Sequence, residues 1–413
     1  MNLKSAIILI FITFFALAKP ILLIGQETQT DVQQIIAEIV EDLTAKADDE
    51  QDYTQLIEDL INLAENPINI NVATADDLKK FIFLNDFQIN SLIDFRDSTG
   101  TILSIYELQT IPGFDIIDIQ RLSPFIKAEQ VDKPLLPKSF YGRNDFSFRY
   151  RTSVETPAGY SKSYTGSGYL GDKNSYYTRY SYRGGKHLQA GFVAEKDPGE
   201  PFFDGTFRAG VDYLSGYISL SKIGIVKKAI IGDYHAEFGQ GLTFWNSLSF
   251  GKSSNAIYVR KRADGLVRHS SAYESQFLRG AGITLSVLKS YVTVFASYRN
   301  IDANISDTLY NGDLAYTSLP ETGYHRTALE IANRNSLTEF TTGANISYNT
   351  SRVKTGLTFA HSKINGNFNG TEAIYELNPK PSEKTAIGAS VDVNIKQYQF
   401  FGEVASDLPS GKI

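Results

Sequence analysis

From about residue 140 onward nearly every β-like segment alternates polar and apolar side chains, and this pattern limits the folds open to the chain more than any other feature. In the segment 384–396 one face reads Ile387, Ala389, Val391, Val393, Ile395, and the other Gly388, Ser390, Asp392, Asn394, Lys396. Successive side chains on a strand point to opposite faces, so one face meets an apolar phase and the other a polar one. Eleven such strands are expected: 144–152, 175–183, 187–195, 208–220, 226–235, 277–288, 291–299, 338–348, 352–362, 384–396 and 398–406. Short links fall at Gly184–Gly185, Lys222–Gly224, Lys289–Ser290, Asn349–Ser351 and Gln397. Long links, 153–174, 196–207, 236–276, 300–337 and 363–383, alternate with them. Short turns at one end and long loops at the other are the asymmetry of an outer-membrane barrel, whose polar face lines a lumen. The expectation for 144–413 is therefore an antiparallel transmembrane β-barrel.

An odd strand count is unusual for such barrels. The segment Leu408–Ile413 is polar and lacks a terminal aromatic strand, so the barrel is expected to be partial, truncated at its C-terminal side. Residues 236–250, with Phe238, Leu242, Phe244 and Trp245, are a place where a further pair of strands could hide. The rest of the composition fits. Of 24 tyrosines, 22 lie beyond residue 139, as interfacial aromatic girdles would require. There is no cysteine, which excludes disulfides, thiolate metal sites, a cysteine nucleophile and a lipidated N-terminal Cys. The net charge of −6 gives no reason to expect a polyanion as main partner. Residues 1–25 read as an export signal, with Lys4 before the apolar run Ala6–Leu17. That run is too short to cross lipid as a helix, and no other stretch of the sequence is a candidate. A membrane protein without such helices must use a closed barrel.

Ahead of the strands the pattern is helical. In the acidic segment 26–67, Ile35, Ile36, Ile39, Val40 and Leu43 form one apolar stripe, and Leu56, Ile57, Leu60 and Ile61 another. A linker, 129–143, follows a second helical stretch, 68–128. This stretch carries Asn71-Val72-Ala73-Thr74, Arg96 ahead of Gly100, and Glu107-Leu108 followed by Ile111-Pro112-Gly113. It resembles the tandem helix-hairpin-helix domains of the competence DNA-receptor (ComEA-like) type. Thr74 with Asp77, and Ser104 with Glu107, are spaced to cap helix N-termini. The order of signal, acidic helices, hairpin module and barrel is similar to helix-hairpin-helix outer-membrane proteins of Bacteroidetes-type bacteria. The stretch Ile231–Leu242 looks like a signature of that barrel.

In the resembling family the hairpins bind DNA through backbone amides of a Gly-hydrophobic-Gly turn at a helix N-terminus. Here the first hairpin, Phe81–Phe87, has no glycine, and the second, Gly113-Phe114-Asp115, puts a carboxylate where the second glycine belongs. Across 69–127 five Lys/Arg face eight Asp/Glu, a net of −3, so the cationic contacts that drive non-specific DNA binding are missing. The expectation is a periplasmic protein partner, docked on an exposed patch formed by Phe81, Phe83, Leu84 and Phe87, with Pro112, Gly113 and Phe114 of the second hairpin. DNA binding or uptake through the hairpins is the disfavoured alternative.

No motif for covalent or cofactor chemistry stands. Gly166–Gly171 matches a dinucleotide fingerprint in letters, without a following helix, and Gly251-Lys252-Ser253 lacks the leading glycine of a phosphate loop. His187, His235, His269, His325 and His361 form no metal pair at helical spacing, so neither metal nor cofactor is expected. Asp233 and His235 should share the lumen face and, with His361, are the one constellation that could suit a barrel hydrolase; a solvated polar lumen is the plainer reading. Glu195–Glu200 reads as a capped acidic turn rather than a calcium site. Arg149, Arg151, Arg179 and Arg183 should cluster on the lumen wall and pair with Asp145, Asp212 and Glu403. The expected whole is a non-enzymatic outer-membrane barrel with a periplasmic helical adaptor, acting in transport, secretion or envelope assembly.

Overall fold

The computed structural model describes residues 26–44, 54–129, 143–160, 168–247, 260–308, 314–369 and 382–408, apart from 66, 74, 79, 185, 186, 205, 208, 262, 351, 396 and 397. The segment read as an export signal, most of the expected linker, Thr74, Lys396 and the Gly251–Ser253 motif lie outside the described residues. The chain divides into two compact units, residues 1–48 with 56–131, and residues 49–55 with 132–413.

The first unit is built of helices. α1 (Gln26–Thr44) turns Ile36 and Ile39 into the interior, and α2 (Thr54–Glu65) does the same with Leu60, as the stripes require. A parallel bridge between β1 (Ile68–Asn69) and β2 (Ile126–Lys127) closes the following stretch on itself. Between them lie α3 (Ala75–Leu78), α4 (Asp86–Thr99) and α5 (Ile116–Leu122), with a 3₁₀ turn at Ile105–Thr110. The cap spaced at Ser104 and Glu107 is present: the Glu107 carboxylate accepts from the Ser104 N–H at 3.1 Å. Arg96 donates to the carbonyls of Ala73 at 2.7 Å and Ile70 at 3.3 Å, tying α4 to the chain leading into α3. Asn71 performs the same service for Ile102.

One expectation fails here. Phe81, Phe83 and Leu84 do not form an exposed patch; all three are buried, and Phe81 and Phe83 pack with Phe125 at ring separations near 6 Å. Phe114 is buried too, and Phe87 lies half-buried beneath Gly113. A unit this small has few large side chains with which to fill a core, so its phenylalanines are drawn inward. Among the described residues, the large apolar groups left at its surface are Ile61, Val72, Leu103, Tyr106, Ile116 and Ile117.

The second unit is dominated by a 12-stranded antiparallel sheet. Its path follows chain order through β3 (Arg143–Thr152), β4 (Asn174–Gly184), β5 (Leu188–Lys196), β6 (Tyr213–Ile223), β7 (Val226–Glu237), β9 (Leu278–Val287), β10 (Ser290–Ile301), β13 (Leu337–Asn349), β14 (Val353–Ile364), β16 (Glu383–Ile395) and β17 (Tyr398–Leu408). All eleven expected strands are there, with the fourth starting at Tyr213 rather than 208. A twelfth, β8 (Gly265–Arg268), pairs with the end of β7 where β6 leaves it. The sheet is not closed into a barrel. Eleven alternating strands leave β3 and β17 running in the same direction, so neither can serve the other as an antiparallel neighbour, and both remain edges.

The long links carry structure that alternation could not announce. β11 (Asn304–Thr308), β12 (Leu314–Ser318) and β15 (Asn367–Phe368) make a small separate sheet, packed around Tyr316 and Leu337, and α6 (Ala328–Asn333) follows β12. The link after β7 doubles back across one face of the main sheet. Phe238 stacks on Phe295 of β10 and Phe244 packs against it at a tilt, and the Glu403 carboxylate of β17 accepts from the N–H groups of Gln240, Leu242 and Thr243. β17 stands six strands away from β7, so the sheet must curl steeply for this contact to form.

Candidate functional site

The sheet is inside out by the standards of a water-soluble fold. One row of directly paired residues reads Leu285, Val292, Ile346, Leu357, Ala389, Val404 across six strands. The row beside it, one residue along each strand, reads Thr284, Thr293, Asn345, Thr358, Gly388, Ala405. In the apolar row Ile346, Leu357, Ala389 and Val404 are exposed and Leu285 and Val292 half-buried, whereas the second row is buried as far as Gly388: Leu357 is 60% exposed and Thr358 3%, and in β6 Ile218 is 55% exposed and Ser219 2%. The covered polar groups bond across strands, Thr284 to Thr293 at 2.9 Å, Asn345 to Thr358 at 2.9 Å and Thr341 to Ser362 at 3.0 Å. Water would favour the reverse arrangement.

Arg149, Arg151, Arg179 and Arg183 do share one face, in register with Tyr177, Glu195 and Tyr213, while Phe146, Phe148 and Tyr150 occupy the other. Their expected partners are only partly right. Arg183 meets Asp145 at 3.7 Å, and the Arg149 guanidinium lies over the Tyr177 ring. Asp212 and Glu403 are engaged elsewhere, because loops from the far end of the sheet reach them first. Asp392, on the same face, is held by Arg260 at 2.5 Å.

The richest polar cluster lies at the long-loop end. His325, between β12 and α6, is buried. Its ring bridges two carboxylates, Asp212 just before β6 at 2.6 Å and Asp302 just after β10 at 2.8 Å. Its backbone N–H donates to Glu200 at 3.0 Å. Arg334 approaches Asp212 at 2.9 Å, and the N–H of Asn335 donates to Asp302 at 2.8 Å. Burial alone would lower the His325 pKa, but the two carboxylates outweigh it and raise it to about 9. Burial, reinforced by Asp212, pushes Glu200 up to about 8, and burial among the same acids holds Glu274 well above the usual carboxylate range. Glu200, Asp212 and His325 could each offer a ligand atom to a cation, all within 4.8 Å of one another. Yet both ring nitrogens of His325 are spent on carboxylates and Arg334 is on Asp212, so the cluster is charge-paired as it stands. The segment 195–200 is the capped turn its sequence suggested, with Glu200 accepting from the Asp197 N–H at 2.7 Å.

The hydrolase constellation is not assembled. Asp233 takes a bidentate grip from Arg279, at 2.7 and 2.9 Å, and a hydrogen bond from the Gly216 N–H. Asp233 is thus committed to Arg279, and His235 makes its hydrogen bonds elsewhere, so the two do not act as a pair. His235 instead meets His269 at 2.9 Å, and His269 meets Tyr213 at 2.9 Å. Donation from His235 Nδ1 to the carbonyl of Asn246 leaves Nε2 to accept from His269, whose Nε2 in turn accepts from the Tyr213 hydroxyl. Two neutral imidazoles complete such a chain, which braces β6, β7 and the links after β7 and β8. His361 pairs with Thr385. The Gly166–Gly171 stretch, described from Gly168, has its closing glycine against the backbone: a Cβ on Gly171 would lie 1.7 Å from the Glu200 carbonyl oxygen. Close loop packing accounts for that glycine.

In the helical unit the positions expected to form the hairpin turns are equally committed. Asp115 accepts from the Asp118 N–H at 2.8 Å, occupying the N-terminus of α5 where a phosphate would sit. Gln88, in α4, donates to the carbonyl of Gly113 and to Asp118, both at 2.8 Å, and ties α4 to the turn before α5 and to α5 itself. Pro112 is exposed beside them.

Sequence reading missed the His325 cluster because Glu200, Asp212, Asp302 and His325 come from separate stretches of the long links. No local spacing reveals them; the one signal was polar residues abutting strand ends. Compared with known proteins, the chain matches no family profile, curated protein or solved structure.

Proposed function

We propose that this chain is a non-enzymatic outer-membrane β-barrel protein whose helical unit is a periplasmic adaptor of the helix-hairpin-helix kind, serving transport, secretion or envelope assembly. One observation carries the reading: the inverted burial of the sheet, with Ile346, Leu357 and Val404 exposed and Thr284, Thr293, Asn345 and Thr358 covered. An apolar surface that large on a sheet needs a partner phase, and hydrocarbon supplies it. Strand lengths agree. β5 has 9 residues and β13 and β16 have 13, against the ~9–11 a tilted strand needs to cross a bilayer. Lipid cannot satisfy the open edges of β3 and β17, so the membrane form has both edges paired. The link from 238 to 247 lies on the polar face and narrows any lumen there.

For the adaptor, capped helix termini and a net negative charge favour a protein over DNA. The exposed Leu103, Tyr106, Ile116 and Ile117 take over the docking role first given to Phe81–Phe87. Fractionation of cells producing the full chain tests the proposal. The chain should remain with outer membranes through urea washing and leave them only in detergent. Recovery in the soluble fraction would end it.

A further inference from the structure

The covered links at the long-loop end meet on a single side chain. His325 is reached by Asp212 and Glu200 from the link before β6, and by Asp302 from the end of β10. The segment around it is fastened on both sides. The Arg326 carbonyl accepts from the Leu170 N–H at 2.8 Å, and the Arg326 guanidinium lies between the rings of Tyr169 and Tyr324. Arg334 holds both the side chain and the carbonyl of Asp212. Three links that are far apart in sequence, 168–172, 197–212 and 301–304, are thus held by one short stretch, 324–335. We propose that this stretch is a pH-operated latch joining the long loops over one end of the sheet, with the His325 imidazolium as its switch. The latch rests on the barrel reading only in calling that end a mouth.

The direction of the switch follows from the charges that face it. Asp212, Asp302, Glu200 and Glu274 approach from neighbouring links, Arg334 and Arg326 from the latch itself, and Glu195 and Asp197 stand behind Glu274. A raised histidine pKa makes the bridge fully present below the ordinary value of 6.5 and removes it as pH rises through about 9. Glu200 acts with the same sign: it ionises near 8 and adds a charge beside Asp212. Burial alone would raise Asp302, but donation from His325 outweighs it and holds this carboxyl below its usual 3.8, so loss on the acid side comes only below that value. The latch is therefore closed through acid and neutral pH and opens on the alkaline side.

The absence of cysteine allows a clean test. Spin labels on Thr322→Cys and Asp204→Cys in the full chain, folded in detergent, report the distance from latch to neighbouring link. A single narrow distance is expected at pH 6, broadening between pH 8 and 10. His325→Gln should give the broad distribution at every pH, and Asp302→Asn should move the midpoint down by a unit or more. An unchanged distance from pH 6 to 10, an unshifted midpoint in Asp302→Asn, or a wild-type transition in His325→Gln would overturn the proposal. A chain that dissolves without detergent would instead sink the barrel reading, and the same distances would still judge the latch in buffer.

Discussion

Leu357→Arg separates a membrane wall from a soluble sheet, because the two assign it opposite consequences. Leu357 is the fifth residue of β14, about 14 Å from the strand's start at ~3.4 Å per residue, which is close to the centre of a crossing. It is 60% exposed and lies between Ile346 and Ala389 on the outward row. In a soluble protein an arginine there is a surface substitution, worth within about 0.5 kcal/mol either way. Facing lipid near the midplane it costs about 2–4 kcal/mol, a ~30- to 900-fold shift toward the unfolded form. Trp245 is the only tryptophan and packs at the polar face, so its fluorescence reports unfolding. Urea titrations of the wild type and Leu357→Arg in lipid vesicles should show the loss. Thr358→Val, one residue along, gives up its bond with Asn345 and should lose only about 1 kcal/mol. A neutral or stabilised Leu357→Arg would refute the lipid assignment of that face.

Other expectations follow from single contacts. Glu403→Ala removes the acceptor of three backbone N–H groups and the Thr243 hydroxyl, so the link after β7 should loosen at a cost of about 2–3 kcal/mol; faster proteolysis between 238 and 247 would register it, and unchanged cleavage would contradict the contact. Gly113→Ala places a Cβ 2.6 Å from the Phe87 ring at φ 94°, and should cost the helical unit about 2 kcal/mol, seen as a lower melting temperature of the helical circular dichroism signal. With five basic against eight acidic residues in 69–127, the full chain should show no DNA binding at about 50 mM salt in fluorescence anisotropy; binding that weakens steeply with salt would restore the nucleic-acid reading.

What the sequence revealed divides along physical lines. The eleven long strands were legible because each keeps one oily and one polar face, and period two survives whatever lies on either side. β8, β11, β12, β15 and α6 were not, since each has six residues or fewer and takes its support from tertiary contacts, as Tyr316 does beneath the small sheet. Phe81–Leu84 was misread for a related reason. A run of apolar residues without periodicity says that something covers it, and the cover turned out to be the chain's own Phe125. Alternation put the four arginines on one face of the sheet, but it named only one of their counter-ions, because Asp212 belongs to His325 and Arg334 through contacts across more than a hundred residues. Asp233 and His235 were linked by parity alone, and parity does not name partners: Arg279 takes the first, and the Asn246 carbonyl and His269 take the second.

Single cysteines placed in turn at 386–393 of β16 test the central claim most directly, since the chain has none of its own. In vesicles, labels at Ile387, Ala389, Val391 and Val393 should be quenched from the lipid phase and shielded from aqueous thiol reagents. Labels at Ala386, Gly388, Ser390 and Asp392 should escape lipid quenching. Loss of that alternation, or its reversal, would contradict a sheet that turns its apolar face to hydrocarbon.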